Sequence, residues 1–268
     1  MSERRIAALY AQALADEKAG RIEAAADGYR ELLHLDADDL VGAAVRLAAV
    51  GAGPVPERAS AAYVATLFDQ HADAFDEMLV ERLGYAVPLL LRERIDALEL
   101  GPFRRMLDLG CGTGLAGTSL ADRVEDATGI DLSENMTALA AATGAYDTLY
   151  VGDAVAFLEE EAEEAPWDLI VATDTLPYLG DLAPLIVGIA GRITPGGLVG
   201  LSCETLATEA FNGAGWTVSP RHRFAHARDY LETTLSEQGF HTLECTLITV
   251  RAEEGQPVPG YLILAQAA

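Results

Sequence analysis

Three aspartates and a run of glycines, each placed where a short apolar run gives way to a turn, mark the chemistry of this sequence. Asp108 stands two residues before Gly110 in Leu107-Asp108-Leu109-Gly110-Cys111-Gly112-Thr113-Gly114. Glycines at such a turn let backbone approach a ligand closely, and a helix opening directly afterwards offers free N–H donors. Glycine spacing alone is ambiguous, because Gly112, Gly114 and Gly117 also satisfy G-x-G-x-x-G, a dinucleotide pattern. The carboxylate of Asp108 separates the two uses: it would repel a pyrophosphate but hold a cationic amino group. Asp131 closes the next apolar run and can accept hydrogen bonds from both hydroxyls of a ribose, a role that also suits nicotinamide nucleotides. Leu132 and Met136, just beyond it, could flank an adenine or simply fill the core. Asp153 ends a third run, either as a ligand contact or as a plain helix cap. Asp174 ends a fourth, with Tyr178 close behind. Ligands in open α/β sheets sit at these carboxyl ends of strands.

The elements that position these residues follow from periodicity. From residue 104 onward, short β runs alternate with helical stretches, which argues a doubly wound, mostly parallel sheet. Strands are expected at Arg104–Leu109, Ala127–Asp131, Thr148–Gly152, Trp167–Thr173 and Leu198–Ser202. Helices are expected at Leu115–Val124, Ser133–Ala142, Ala154–Glu164, Leu182–Ile193 and Ala227–Gly239. Thr242–Arg251 and Gly260–Gln266 follow with only a loop between them, which predicts an antiparallel edge hairpin. Upstream, Tyr63–Glu81 and Ala86–Leu98 read as helices.

Residues 3–50 are different. Ile6, Leu9, Tyr10, Ala13 and Leu14 form one helical stripe, Ile22, Ala25, Tyr29, Leu32 and Leu33 another, and Gly20 lies where a helix hairpin would turn. Gly51 to Pro56 is rich in turn residues and marks a boundary. The expected division is a helical segment over 1–52 and an α/β domain over 57–268, with 57–100 as its helical lead-in.

Composition limits the partners. Forty-two acidic against eighteen basic residues give a net charge of −24; such a surface repels phosphate backbones, so nucleic acid is not expected as a partner. No apolar run reaches the roughly 18 residues a membrane span needs, and the first residues lack the apolar core of a signal peptide, so a cytoplasmic location and no membrane partner are expected. Cys111, Cys203 and Cys245 are too few and too scattered for a disulfide framework or a zinc site. No metal site is expected.

The run from Leu107 to Gly114 resembles the first motif of the class I S-adenosylmethionine-dependent methyltransferases. Asp131, Asp153 and Pro195-Gly196-Gly197 fall in that family's order and spacing. The resemblance implies S-adenosylmethionine as methyl donor, leaving as S-adenosylhomocysteine. It places Asp108, Gly110, Cys111, Gly112 and Gly114 around the methionine and ribose portions, and Asp153 at the adenine amino group with Ala154 adding backbone contacts. Asp174 would border the transferable methyl. Phe68, Asp69, Phe75 and Asp76 are similar to a lead-in helix that forms a lid in many small-molecule methyltransferases, its aromatics, here Tyr63, Phe68 and Phe75, covering the cofactor. The alternative is an amphipathic helix whose aromatics only fill the core. His226 falls where the family lines its acceptor pocket, and its near-neutral pKa suits a general base, the alternative being a solvated or structural histidine; Tyr178 is the other candidate catalytic residue. Arg223 and Arg251 would bind an acidic acceptor or pair with the surplus carboxylates.

The order Leu14, Gly20, Ala25, Tyr29, Leu32, Asp36 resembles one tetratricopeptide repeat, and the stretches from Ser219 to Tyr230 and from Arg251 to Gly260 resemble a bacterial subgroup that joins such repeats to a methyltransferase domain. Solenoid units usually need about three copies to stand alone, so this segment is expected to pack on its neighbour, on a second copy or on a protein partner. The expected function is metal-independent transfer of a methyl group to a small-molecule acceptor. A cofactor-binding scaffold or a protein methyltransferase recruiting its partner through the helices is the alternative, and a nicotinamide oxidoreductase is the third.

Overall fold

A computed structural model describes residues 3–72, 83–160 and 165–268 of the chain. Helices α1 (Glu3–Lys18) and α2 (Ile22–Leu35) form a hairpin around Gly20, which takes a left-handed φ of 71°. Ala13, Ala25, Ala26, Tyr29 and Leu32 are buried along the seam, so the two stripes meet as expected. A third helix, α3 (Ala43–Ala49), starts where Asp39 accepts from the Ala43 and Ala44 amides. It packs against the α/β domain, where Val45 joins a cluster with Val64, Val218 and Phe224. The N-terminal segment therefore shares a core with its neighbour and is not a free-standing appendage.

After the turn at 51–56 comes α4 (Ala61–His71), capped by the Ser60 hydroxyl, which accepts from the Tyr63 amide. The rest of the expected Tyr63–Glu81 helix, including Phe75, lies outside the described residues. Helix α5 (Val87–Ala97) carries Pro88 in its first turn, where no amide is needed.

The α/β domain then follows the expected rhythm: β1 (Phe103–Leu109), α6 (Leu115–Leu120), β2 (Val124–Asp131), α7 (Glu134–Thr143), β3 (Thr148–Val151), α8 (Ala154–Glu159), β4 (Trp167–Ala172), α9 (Ala183–Arg192) and β5 (Ile193–Glu204). Strands β3, β2, β1, β4 and β5 lie side by side and parallel. Their interiors are almost wholly apolar because helices cover both faces: Leu107, Leu109, Leu169, Ile170 and Val171 are all fully buried. No described helix is long and apolar enough to cross a membrane.

Beyond β5 the chain departs from the expected list. Two short strands, β6 (Trp216–Val218) and β7 (Phe224–His226), form a hairpin joined to β5 where Glu204 pairs with Ala225. Three residues are too few to display a period of two, which hides such strands from pattern reading. Helix α10 (Arg228–Glu237) leads to β8 (Phe240–Glu253) and β9 (Gln256–Ala267), the expected antiparallel hairpin. The later strand, β9, inserts against β5, and β8 lies outside it.

Candidate functional site

A cleft opens at the carboxyl ends of β1, β2, β3 and β4, walled on its far side by α4 and the turn after β4. Its floor is the glycine turn. Gly110 adopts φ 75°, and a Cβ there would lie 2.4 Å from the Thr175 hydroxyl oxygen, so both conformation and space demand glycine. Thr175 in turn donates to the Leu109 carbonyl at 2.7 Å, tying the turn after β4 to the end of β1. The Gly110 and Cys111 amides donate to the Ile130 carbonyl at 2.8 and 2.9 Å. The loop is thus fixed from both neighbouring strands before any ligand arrives.

Asp131 completes this wiring. One carboxylate oxygen accepts from the Gly112 amide and the other from the Ser133 amide, both at 2.9 Å. Burial pushes its pKa up, and the two amide donors work in the opposite direction. Ser133 caps α7 as expected, accepting from the Met136 amide at 3.0 Å. Its hydroxyl also donates to Asp69 of α4, and the same carboxylate accepts from the Asn135 amide. Helix α4 is therefore latched across the cleft to the start of α7.

Of the residues singled out by sequence, Gly110, Cys111, Gly112, Asp131, Leu132, Asp153, Ala154, Asp174 and Tyr178 line the cleft. Five others do not. Asp108 lies behind the glycine loop, fully buried, with one oxygen accepting from the Tyr146 hydroxyl at 2.6 Å and the other without a hydrogen-bond partner. Burial raises its pKa to about 7. Gly114 faces Tyr146 and α7, where its φ of 94° turns the chain into α6. Met136 is core under α7. Tyr63 packs with the N-terminal segment, its ring beneath Gly42.

His226 takes the structural one of its two expected roles. It is fully buried on β7, away from the cleft, and Nε2 donates to the Leu179 and Gly180 carbonyls at 2.9 and 3.1 Å. Burial depresses its pKa to about 4. The neutral ring pins the turn after β4 and does not face a reacting group, so it is no general base.

Asp153 holds two jobs at once. One oxygen accepts from the Val155 and Ala156 amides, capping α8, while the other pairs with Arg58. Arg58 arrives on a strap, residues 57–59, that runs antiparallel to 178–180: the Ala59 amide donates to Tyr178 and the Gly180 amide to Glu57. Sequence reading passed over this arginine, because nothing local links positions 58 and 153.

The opposite end of the cleft is an ion-paired cluster. Asp174 takes φ 63°, a left-handed conformation uncommon outside glycine, and its amide donates to the Ser202 hydroxyl oxygen at 2.9 Å. Arg223 reaches Asp174 and Glu204 at 2.6 Å each, and Arg251 reaches Glu204 at 2.8 Å. Arg251 and Glu204 are both 2 % exposed. Arg223 also donates to the Tyr178 oxygen at 2.9 Å and lies over that ring, its guanidinium carbon 4.9 Å from the centroid. Phe68 of α4 packs edge-on against the same ring. Of the two uses foreseen for these arginines, the structure shows pairing with carboxylates. No cluster of residues able to hold a metal ion occurs among the described residues.

The features suit a nucleoside joined to an amino-acid-like tail. The glycine floor leaves room for close backbone approach, Asp131 stands at the carboxyl end of β2, and Leu132, Val155 and Phe68 supply apolar walls. The unpartnered Asp108 oxygen lies behind the loop. Residues 107–199 match the family model described as "Methyltransferase domain". Ubiquinone biosynthesis O-methyltransferase of Bordetella pertussis is 33% identical over 98 residues, 36% of this chain and 41% of that protein. Trans-aconitate 2-methyltransferase of Delftia acidovorans is 31% identical over 147 residues, 54% of this chain and 53% of that protein. The chain thus spans about half or less of the curated relatives it matches. Among solved structures, the N-methyltransferase NodS of Bradyrhizobium japonicum, in complex with S-adenosylhomocysteine, superimposes with a TM-score of 0.57 at 18% identity, over 76% of this chain and 98% of that one. That likeness shows the fold: an α/β, Rossmann-like, mostly parallel sheet with antiparallel C-terminal strands.

Proposed function

We propose that this chain, which carries a class I S-adenosylmethionine-dependent methyltransferase domain, transfers a methyl group from S-adenosylmethionine to a small-molecule acceptor. The observation that carries this reading is the glycine floor wired to Asp131 at the mouth of β2, open to a cleft with apolar walls. S-adenosylmethionine supplies an already activated methyl on a sulfonium. The protein's task is then to align the two partners and exclude water. Gly110, Cys111 and Gly112 would hold the amino-acid end, Asp131 the ribose, and Leu132, Asp153 and Ala154 the adenine. Phe68 and Tyr178 close the side where the acceptor must enter. Asp108 acts from behind the loop, through Tyr146, whose oxygen accepts from the Gly117 amide at 3.0 Å.

Relatives named for O-methyl transfer and for trans-aconitate favour a small acceptor. The N-terminal helices we read as a tetratricopeptide-like segment that steadies the acceptor wall and offers its outer face to a protein partner or a second copy. The support is the Glu17 carboxylate, which accepts from His222 Nε2 at 2.8 Å beside Arg223. The test is release of S-adenosylhomocysteine from S-adenosylmethionine in the presence of a panel of small acids, phenols and amines. Acceptor-dependent release supports the reading. Binding without release for every acceptor favours the scaffold reading instead.

A further inference from the structure

Each carboxylate on the described wall of the cleft already accepts hydrogen bonds from the fold or pairs with an arginine. Asp131 accepts from the Gly112 and Ser133 amides, Asp153 from the α8 amides and Arg58, and Asp174 from Arg223. The histidine expected as a base is buried elsewhere. What the acceptor end offers is a hydrogen-bond donor. The Tyr178 oxygen accepts from Arg223, which leaves its own proton for a second partner, and no described residue takes that proton. Burial pushes the Tyr178 pKa up to about 12, so the side chain is a phenol and not a phenolate. A cation donating to a hydroxyl oxygen strengthens the donation that hydroxyl makes onward.

From this juxtaposition we infer that the acceptor binds as an oxygen anion, a carboxylate or an acidic enol or phenol, with Tyr178 donating to it and Arg223 as the positioning residue behind Tyr178. The inference rests on the methyltransferase reading above and names its substrate class. Arg221, Arg223 and Arg251 balance Asp174, Glu204 and Glu253, so the anion meets no uncompensated negative charge in that cluster. Its electron pair forms the new carbon–oxygen bond as the carbon–sulfur pair returns to sulfur. The sulfonium becomes a neutral thioether and no proton moves, which fits a cleft without a described base. A primary amine, by contrast, arrives as an ammonium and must shed a proton first.

The experiment titrates benzoate, benzyl alcohol and benzylamine into protein saturated with S-adenosylhomocysteine, by calorimetry. Benzoate is expected to bind at least tenfold more tightly than benzylamine. Tyr178→Phe, which removes only the hydroxyl, should abolish that preference and shift S-adenosylhomocysteine affinity by less than twofold. Arg223→Lys should restore part of the preference lost in Arg223→Gln, an outcome a merely structural role would not give. Equal binding of the three probes, no binding by any of them, or preference for benzylamine overturns the inference and leaves the cofactor reading standing. Failure to bind S-adenosylhomocysteine at the outset overturns both.

Discussion

The two ends of the cleft are built by different means. The proposed donor end is assembled from strand ends close together in sequence: the glycine loop, Asp131 and Asp153 occupy some 45 residues and are wired chiefly by backbone amides. The proposed acceptor end draws Phe68, Asp174, Tyr178, Glu204, Arg223 and Arg251 from five parts of the chain and is held by side-chain charge. Amide wiring tolerates changes in side chains that only touch a ligand. A buried charge cluster does not, because removing one member leaves another uncompensated.

That contrast is broken most easily at Arg251. Replacing it with Ala leaves Glu204 with Arg223 as its remaining cation in the core, and the loss expected for a broken buried pair is about 3–5 kcal/mol. A urea melt should show it as a lowered midpoint; a change within about 1 kcal/mol would mean the cluster is not the acceptor end's main support. At the donor end the expected cost is in binding. Asp131→Ala should weaken S-adenosylhomocysteine binding by roughly 1.5–3 kcal/mol, the range for hydrogen bonds to a charged group, and calorimetric titration reads it directly.

The donor end was legible in the sequence for the same reason it is robust. Asp108 to Gly114, Asp131 and Asp153 sit at fixed offsets from apolar runs, and strand order converts those offsets into one crevice. The sheet and its C-terminal hairpin followed from periodicity. Position along the strand, however, does not say which face a side chain takes. Asp108 therefore read as a cleft residue and proved to lie behind the loop, and His226 sits in a three-residue strand too short to betray its inward orientation. Arg58 with Asp153 and Arg223 with Asp174 are separated by 95 and 49 residues. In a single sequence such charge pairs look like solvated surface, and only the packed fold brings them together.

Asp108 gives a sharper, pH-dependent test. Its pKa stands at about 7 in the folded chain against about 4 for an ordinary aspartate. An acid raised on folding favours the fold where it is protonated in both states, below about pH 4, and that contribution is lost as pH rises towards 7. Asp108→Asn, which needs no proton, should therefore raise Tm at pH 8, by roughly 2–4 °C for each kcal/mol regained in a chain this long. The gain should shrink towards nothing near pH 4. A gain equal at both values would place the effect in packing instead. The smallest change is expected where the two ends meet: Ser133→Ala removes the cap of α7 and the latch to Asp69, for about 1 kcal/mol by thermal melt.

The account depends on the glycine crevice accepting a nucleoside thioether and refusing a diphosphate. Calorimetric titration of the intact chain with S-adenosylhomocysteine and, separately, with NADH decides it. Saturable binding at one site per chain for the former and none for the latter is the predicted result. Binding of NADH with indifference to S-adenosylhomocysteine would contradict it.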